Sequence, residues 1–362
     1  MPKRVLQSCL SKSWGGLEMV AYENAISLTK NGFECHTLCF EGSPLEQHLK
    51  ALNLSTVSIR KKPFDFLKVR SFIKKHGIQY FLVQMLKDLK LLSVAAIGIP
   101  EINMIAIAHM FIGVNKKDFI HRWVYGKLQT LICLTQNHKE NLLEFLPLKE
   151  SQIAVLPNFV DCEKFNPRNR SEEVRASMGG MPGIPLMGTA SRLDPQKGQG
   201  VALEALKILK QKNIPLRLVI VGENTKNEMN YLDVLKKMSK DLGIEDLVHF
   251  TGYRSDMDKI IASLDVLLMP SDRETFGRVL IEAMASKTPV IATNAGGVPN
   301  IIDNNINGLL VEPKNPQDLA IAMEKLATQT DLRQTLAEGG YQKAQSTYSK
   351  DVVEKKFLGF FD

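Results

Sequence analysis

Cysteine is scarce and unpatterned. Cys9, Cys35, Cys39, Cys133 and Cys162 make no CxxC pair and no Cys/His ligand spacing. That argues against a disulfide framework or a zinc site and for buried thiols in a reduced compartment. Long apolar runs are missing as well. The richest stretch, LLSVAAIGIPEINMIAIAHMF, is broken by Pro100 and Glu101, and the opening MPKRVLQSCL has cations but no apolar core or small-residue cleavage site. Neither an export signal nor a membrane span is expected, and the expected location is cytoplasmic. There is no repeat period, no low-complexity tract and no nucleic-acid-binding motif, so solenoids and nucleic-acid partners are set aside. The first strand is not followed by G-x-G-x-x-G, which counts against a nicotinamide-dependent oxidoreductase.

What is present suits two globular domains. The chain has 362 residues, 44% of them hydrophobic, and a formal net charge of +7. Residues 1–175 carry 24 Lys+Arg against 16 Asp+Glu, or +8, and the remainder 22 against 23, or −1, so the positive excess belongs to the first half. Within it, IRKKPFDFLKVRSFIKKHG interleaves Arg60, Lys61, Lys62, Lys68, Arg70, Lys74 and Lys75 with Phe64, Phe66, Leu67 and Phe72. This pattern fits attraction to an anionic surface, and equally a solvated amphipathic helix whose aromatics face a core.

Apolar strands alternate with helical stretches from RVLQSCL through TLICLT, and after the Pro/Gly-rich region LPNFVDCEKFNP to GGMPGIP the alternation restarts at LMGTAS. Such alternation predicts parallel sheets covered by helices, an α/β chain of two doubly wound, Rossmann-like domains. The domains are expected at 1–165 and 166–346. Open parallel sheets bind ligands at the carboxyl ends of their strands, so the loops after LMGTAS, LVIVG, VHFTG and LLMPS should converge on one rim.

Three stretches could carry chemistry. SRLDPQKG sets Arg192 and Lys197 around an Asp-Pro pair just beyond a strand; it is either a solvated turn or a clamp for an anion. Gly15 and Gly16 stand between the first strand and an amphipathic helix, where unpaired N–H groups could meet an anion, although a glycine turn entering a helix is common. In SDRETFGRVLIEAMASKTPV, Glu274 follows an apolar strand and Glu282 comes eight residues later. A helix beginning near Thr275 would stack both carboxylates on one side of an N-terminus whose amides can cradle phosphate; otherwise Glu274 only balances the helix dipole. Asp256-Met257-Asp258 could chelate a metal, but its place at a helix start favours capping.

Taken in order, GGLEMVAYENAISLTKNGFE, VLPNFVDCEKFNP, SRLDPQKGQGVALEAL, LVIVGEN, VHFTGY and DVLLMPSDRETFGRVLIEAMASKTPVIATNAGGVPNIIDNNINGLLVEP resemble the retaining nucleotide-sugar glycosyltransferases of family four. The resemblance runs over nearly the whole chain and is densest from Val155 to Pro313. It implies the GT-B fold, two Rossmann-like domains facing each other across a cleft, with an acceptor-binding first domain, a donor-binding second one and a closing helix over 347–362 that packs back on the first. The implied reaction is retaining transfer of a hexose-type sugar from a nucleotide diphosphate donor, UDP-linked by expectation, to an acceptor hydroxyl, without metal or other cofactor.

The resemblance also implies roles. Arg192 and Lys197 match the cations that grip the donor diphosphate. Glu282 matches the ribose-binding carboxylate. Glu274, with Thr275, Phe276, Gly277 and Val279, matches the part facing donor sugar and phosphates. Gly15 and Gly16 match the first-domain loop that closes on the donor, His109 the histidine beside the transferred sugar, and Gly222 and Tyr253 the loops framing the base. Asn300, Thr275 and Lys287 depart from the usual Glu, Gly and Gly. The expected partners are the sugar nucleotide, a glycan or lipid-linked acceptor of cell-envelope or lipopolysaccharide type, and an anionic membrane surface met by the basic first domain. A non-catalytic sugar-nucleotide binder is the alternative.

Overall fold

The structure is a computed structural model describing residues 2–60, 62, 64–99, 102–224 and 230–362. Lys61, Pro100 and Glu101 lie outside the described residues. The chain divides into two compact units, Met1–Leu156 with Glu354–Asp362, and Pro157–Val353.

In the first unit, β1 (Arg4–Ser8), β2 (Glu34–Phe40), β3 (Ser55–Ile59), β4 (Tyr80–Val83), β5 (Asn103–Ile107), β6 (Leu128–Cys133) and β7 (Ile153–Val155) form one parallel sheet. Its order is β3-β2-β1-β4-β5-β6-β7. The central strands are buried on both faces, so they read as nearly unbroken apolar runs: Val5, Leu6, Phe81, Leu82 and Val83 are all fully buried. The edges β3 and β7 are not marked by the alternation read from sequence. β3 is STVSI, with Ser55, Thr56 and Ser58 polar and only Val57 and Ile59 buried, and β7 has three residues. Phe361, in the final segment, is buried against the rings of Phe33, Tyr80 and Phe357, and its carbonyl accepts from Lys3 Nζ (2.7 Å) and Tyr80 Oη (2.8 Å).

The second unit has β8 (Leu186–Ala190), β9 (Arg217–Val221), β10 (Val248–Gly252), β11 (Val266–Met269), β12 (Val290–Thr293) and β13 (Leu309–Val311) in the order β10-β9-β8-β11-β12-β13, all parallel. Residues 157–165 go with this unit because Val160 is stitched to the segment before the last helix: its N–H donates to Tyr348 O (2.8 Å), and its carbonyl accepts from Lys350 N (3.1 Å). The strand order reverses between β8 and β11. Chain entering from β8 turns to one side and chain from β11 to the other, which leaves a crevice at the carboxyl ends of these two strands.

No helix among the described residues is long and apolar enough to cross a membrane. The five cysteines are free and four are buried; burial pushes the thiols of Cys35, Cys39 and Cys133 up to about 12. In the basic segment, the helix Asp65–His76 buries Val69 and Ile73. Much of its charge is already engaged: Arg60 pairs with Glu41, Lys68 Nζ donates to Ser58 O (2.6 Å) and Arg70 to Ala95 O (3.0 Å). Lys62, Lys74 and Lys75 are exposed.

Candidate active site

The loop leaving β8 is held from three sides. Asp194 starts a single 3-10 turn, Pro195–Lys197, with its carboxylate accepting from Gln196 N and its carbonyl from Lys197 N, both at 2.9 Å. The buried Gln199 reaches back, donating to Ser191 Oγ (3.0 Å) and to Arg192 O (2.8 Å). On the β9 side, Ser191 N donates to Val221 O (3.1 Å) and Leu193 N to Glu223 O (3.0 Å). The approach is so close that a Cβ on Gly222 would sit 1.9 Å from Ser191 O, so only glycine fits there. Fixed in this way, Arg192 holds a half-exposed guanidinium 3.6 Å from the Asp194 carboxylate.

The loop leaving β11 meets it. Asp272 N donates to Gln196 O (2.8 Å), and Asp272 pairs with Lys314 (3.1 Å). Glu274 is anchored by its backbone, since Gly297 N donates to its carbonyl at 2.8 Å. One of its carboxylate oxygens accepts from Lys197 Nζ at 2.6 Å and from Ser271 Oγ at 3.0 Å. Lys197 and Glu274, 77 residues apart in the chain, are thus an ion pair at the β8/β11 crevice, with a quarter or less of either side chain exposed.

The helix starts where Gly277 marks it in the sequence, with Gly277 as its N-cap and Arg278 its first residue, and not as early as Thr275. Gly277 has φ +84°, a left-handed backbone that cannot continue a right-handed helix, and so Glu274 to Gly277 form a turn leading into the N-terminus of Arg278–Ala285. The two glutamates therefore do not stack on one helix. Glu274 belongs to the turn, while Glu282 lies on the helix with Arg278 Nε 3.9 Å away. Phe276 is buried with its ring edge-on to Tyr348 at 5.9 Å, and Val279 is partly exposed in the first helical turn. Backbone amides at this N-terminus and the two cations of the β8 loop offer complementary positive potential to a diphosphate. Gly222 N donates to Gly252 O (3.0 Å), which brings the loop carrying the exposed Tyr253 beside the end of β9.

The remaining expected residues belong to the first unit. His109, two residues beyond β5, donates from Nε2 to Gln84 Oε1 (3.0 Å). Gln84 then donates to Gln7 Oε1 (2.9 Å) and Gln7 to Ala21 O (2.8 Å), a chain of buried amides that fixes the ring. Gly15 caps the helix Gly16–Lys30 with extended backbone. A Cβ at Gly15 would meet Glu18 Oε2 at an ordinary 3.5 Å and one at Gly16 would meet nothing within 4 Å, so packing of the described residues does not demand glycine at either place.

Asp256 stands at the N-cap of Met257–Ala262 as expected, but its carboxylate is taken by Arg254 (2.6 and 2.8 Å) rather than by helix amides. Asp258 instead accepts from Asn169 (3.3 Å), so the two aspartates are drawn to different partners. The group among the described residues whose ligand atoms approach within 4.8 Å of one another is Glu34, His36 and His76, at the amino edge of β2. That is the opposite end of its sheet from the carboxyl-end loops.

Ser271 and Gln199 hold the charged residues in place and no sequence signal singles them out, whereas Asp194 stands in the Asp-Pro pair of SRLDPQKG. Of the departures, Lys287 has φ +54°, a conformation that suits glycine, and its ammonium lies 2.8 Å from Glu338 and over the Tyr341 ring. Asn300 is exposed at the end of a 3-10 turn.

Comparison with known proteins gives two family profiles: "Glycosyltransferase Family 4" over residues 14–164 and "Glycosyl transferases group 1" over residues 172–343. A D-inositol 3-phosphate glycosyltransferase of Corynebacterium urealyticum is 27% identical over 316 residues, 81% of this chain and 74% of that protein. Other curated relatives of the same description are matched over about half of their own length. Among solved structures, a glycosyltransferase from Rickettsia africae superposes with a TM-score of 0.89 at 24% identity, covering 99% of this chain and 98% of that one. Anabaena HepE in complex with UDP-glucose gives 0.85 at 21%, covering 99% of each chain. These likenesses identify the fold as GT-B.

Proposed function

Since the chain belongs to the glycosyltransferases that these two profiles describe, we propose that it transfers a hexose-type sugar from a nucleoside diphosphate donor to an acceptor hydroxyl, with retention at the anomeric carbon. The observation that carries this is the Lys197–Glu274 pair at the β8/β11 crevice, with Arg192 in the same loop and the N-terminus of Arg278–Ala285 in the same turn. Breaking the bond from sugar to diphosphate makes the sugar oxocarbenium-like and gathers negative charge on the departing phosphate. Fixed cations and helix amides oppose that growing charge more strongly than the charge of the ground state, which lowers the barrier without a metal ion.

In this reading Lys197 and Arg192 hold the diphosphate, Glu282 the ribose, and Glu274 faces the sugar with the backbone of Thr275, Phe276 and Gly277, while Val279 lines the same turn. Gly222 and Tyr253 frame the base. Gly15, Gly16 and His109 act from the first unit, the glycines on the donor phosphates and the histidine on the transferred sugar. Glu274 is not assigned as a nucleophile, because front-side displacement, in which the leaving phosphate takes the acceptor proton, uses the same residues. The UDP and UDP-glucose bound by Anabaena HepE favour a UDP-linked donor. The acceptor is a glycan or lipid-linked precursor of the cell envelope, met by a chain that works peripherally at the cytoplasmic membrane; the basic first half supports this.

A thermal-shift screen against UDP-, GDP- and ADP-sugars, followed by nucleotide release with a panel of acceptors, tests the reading. A stabilising sugar nucleotide that is turned over supports it. Stabilisation without release under any acceptor would make the chain a sugar-nucleotide binder, and no stabilisation at all would remove the donor site.

A further inference from the structure

We propose that the outward face of the helix Phe119–Tyr125, with the loop before it, is a docking surface for an anionic lipid bilayer. The helix is apolar on both sides. Val124 and Tyr125 are buried in the core of the first unit. At 100° per residue, Phe119, Trp123 and Ile120 share the opposite side, flanked by Arg122. On that side Phe119 is 84% exposed, Ile120 54% and Trp123 39%. The preceding loop adds Met110 at 70% and Val114 at 69%.

The segment is anchored at several points. Ile112 exchanges two hydrogen bonds with the Asn141 side chain (2.7 and 2.9 Å), Lys116 N donates to Phe145 O (2.9 Å), and the Met110 carbonyl accepts from His138 Nε2 (3.0 Å). The loop is hung on the helix Gln136–Phe145, and Arg122 Nε ties it to the short helix through Lys117 O (2.8 Å). A rigid scaffold that presents five large apolar side chains to water is costly for a lone chain and marks an interaction face.

Charge selects the occupant. Lys116, Lys117, Arg122 and Lys127 lie within or beside the patch, with Lys127 Nζ over the Trp123 ring at 4.5 Å. The local acid, Asp118, is committed to capping the helix and to His121. A second copy of the chain would bring the same cations face to face, which disfavours self-association. Anionic headgroups satisfy the cations while the interfacial zone of a bilayer takes Phe119, Ile120 and Trp123. The exposed aromatic and aliphatic side chains here outnumber those of the Asp65–His76 segment, where Phe64 and Leu67 stand out. The assignment deepens the peripheral-membrane part of the proposed function and rests on it only for its purpose.

The test is co-sedimentation of the full chain with vesicles of phosphatidylcholine alone or with phosphatidylglycerol at about one lipid in three, read together with Trp123 emission in a Trp14→Phe background. Binding to the anionic vesicles, weakened by salt, with a blue shift of Trp123, supports the proposal. Phe119→Ser with Ile120→Ser, and separately Lys116→Glu with Lys117→Glu, should each weaken it at least about 10-fold, with melting temperature and nucleotide binding unchanged. Equal binding by these variants, no preference for anionic vesicles, or a dimer in sedimentation that Phe119→Ser abolishes would overturn it. Because vesicle binding needs no sugar nucleotide, failure here and failure of the transferase reading are separately visible.

Discussion

Lys197 Nζ donates to Glu274 Oε1 at 2.6 Å, joining the loop after β8 to the loop after β11 where the strand order reverses. Without donor, each charge answers the other. On the proposed function, an arriving diphosphate takes a share of Lys197 and leaves Glu274 facing the sugar. Glu274→Gln should therefore leave UDP binding unchanged or tighter, while kcat for sugar transfer falls about 10²- to 10³-fold. Calorimetry with UDP and steady-state kinetics on one preparation check it; a loss of UDP affinity with normal kcat would reverse the assignment.

Ser271 is expected to position Glu274. Its hydroxyl is buried and donates to the same Glu274 oxygen that Lys197 binds. Ser271→Ala should cost about 1 kcal/mol of stability, within the usual range for one hydrogen bond. It should lower kcat more than it raises KM, and Ser271→Thr should recover part of the loss. A change confined to melting temperature would make the serine merely structural.

How much of this was legible in the chain varies from residue to residue. The alternation of apolar strands with helices is plain because central parallel strands are buried on both faces, and the crevice follows from that topology. The meeting of Lys197 with Glu274 follows from strand order, which a one-dimensional pattern does not contain; the resemblance assigned both to the donor but not to each other. The start of the helix was legible at Gly277, but that its left-handed backbone keeps Glu274 off the helix was not, and the roles of Ser271 and Gln199 depend on contacts that only folding makes. FIHRWVY announces nothing in the sequence, since apolar residues on both its sides leave no clean stripe to show which face is outside.

The glycines of the first unit offer a clean separation of folding from function. Beyond its chain neighbours and its own helix backbone, a Cβ at Gly16 would meet nothing within 4 Å. Gly16→Val should therefore keep its melting temperature within a few degrees, allowing for about 1 kcal/mol of helix propensity either way. If the loop closes on the donor, KM for the sugar nucleotide should rise at least about 10-fold. Normal kinetics would leave the glycine pair as an ordinary helix entry.

Asp88 makes stability depend on pH. Burial pushes its carboxyl up to about 6, although Leu10 N donates to it at 3.0 Å. At very low pH the group is protonated folded or unfolded and contributes nothing. As pH rises through the ordinary value of 3.8 toward 6, the unfolded chain releases the proton first, so stability is lost over this window and stays lost above it. Asp88→Asn keeps an acceptor for Leu10 and removes the titration. It should stabilise the protein by about 1–3 kcal/mol at pH 7.5, and the gain should shrink as pH falls toward 4. Urea unfolding at several pH values checks the slope; a gain that does not vary with pH would contradict it.

The most direct measurement is release of nucleoside diphosphate from the sugar nucleotide that stabilises the wild-type chain, compared in wild type, Arg192→Ala and Lys197→Ala with an acceptor present. The predicted result is turnover by the wild type and a loss of at least about 100-fold in each variant, with melting temperatures unchanged. Near-normal release by both variants would contradict the account and return Ser191 to Gly198 to being a surface turn.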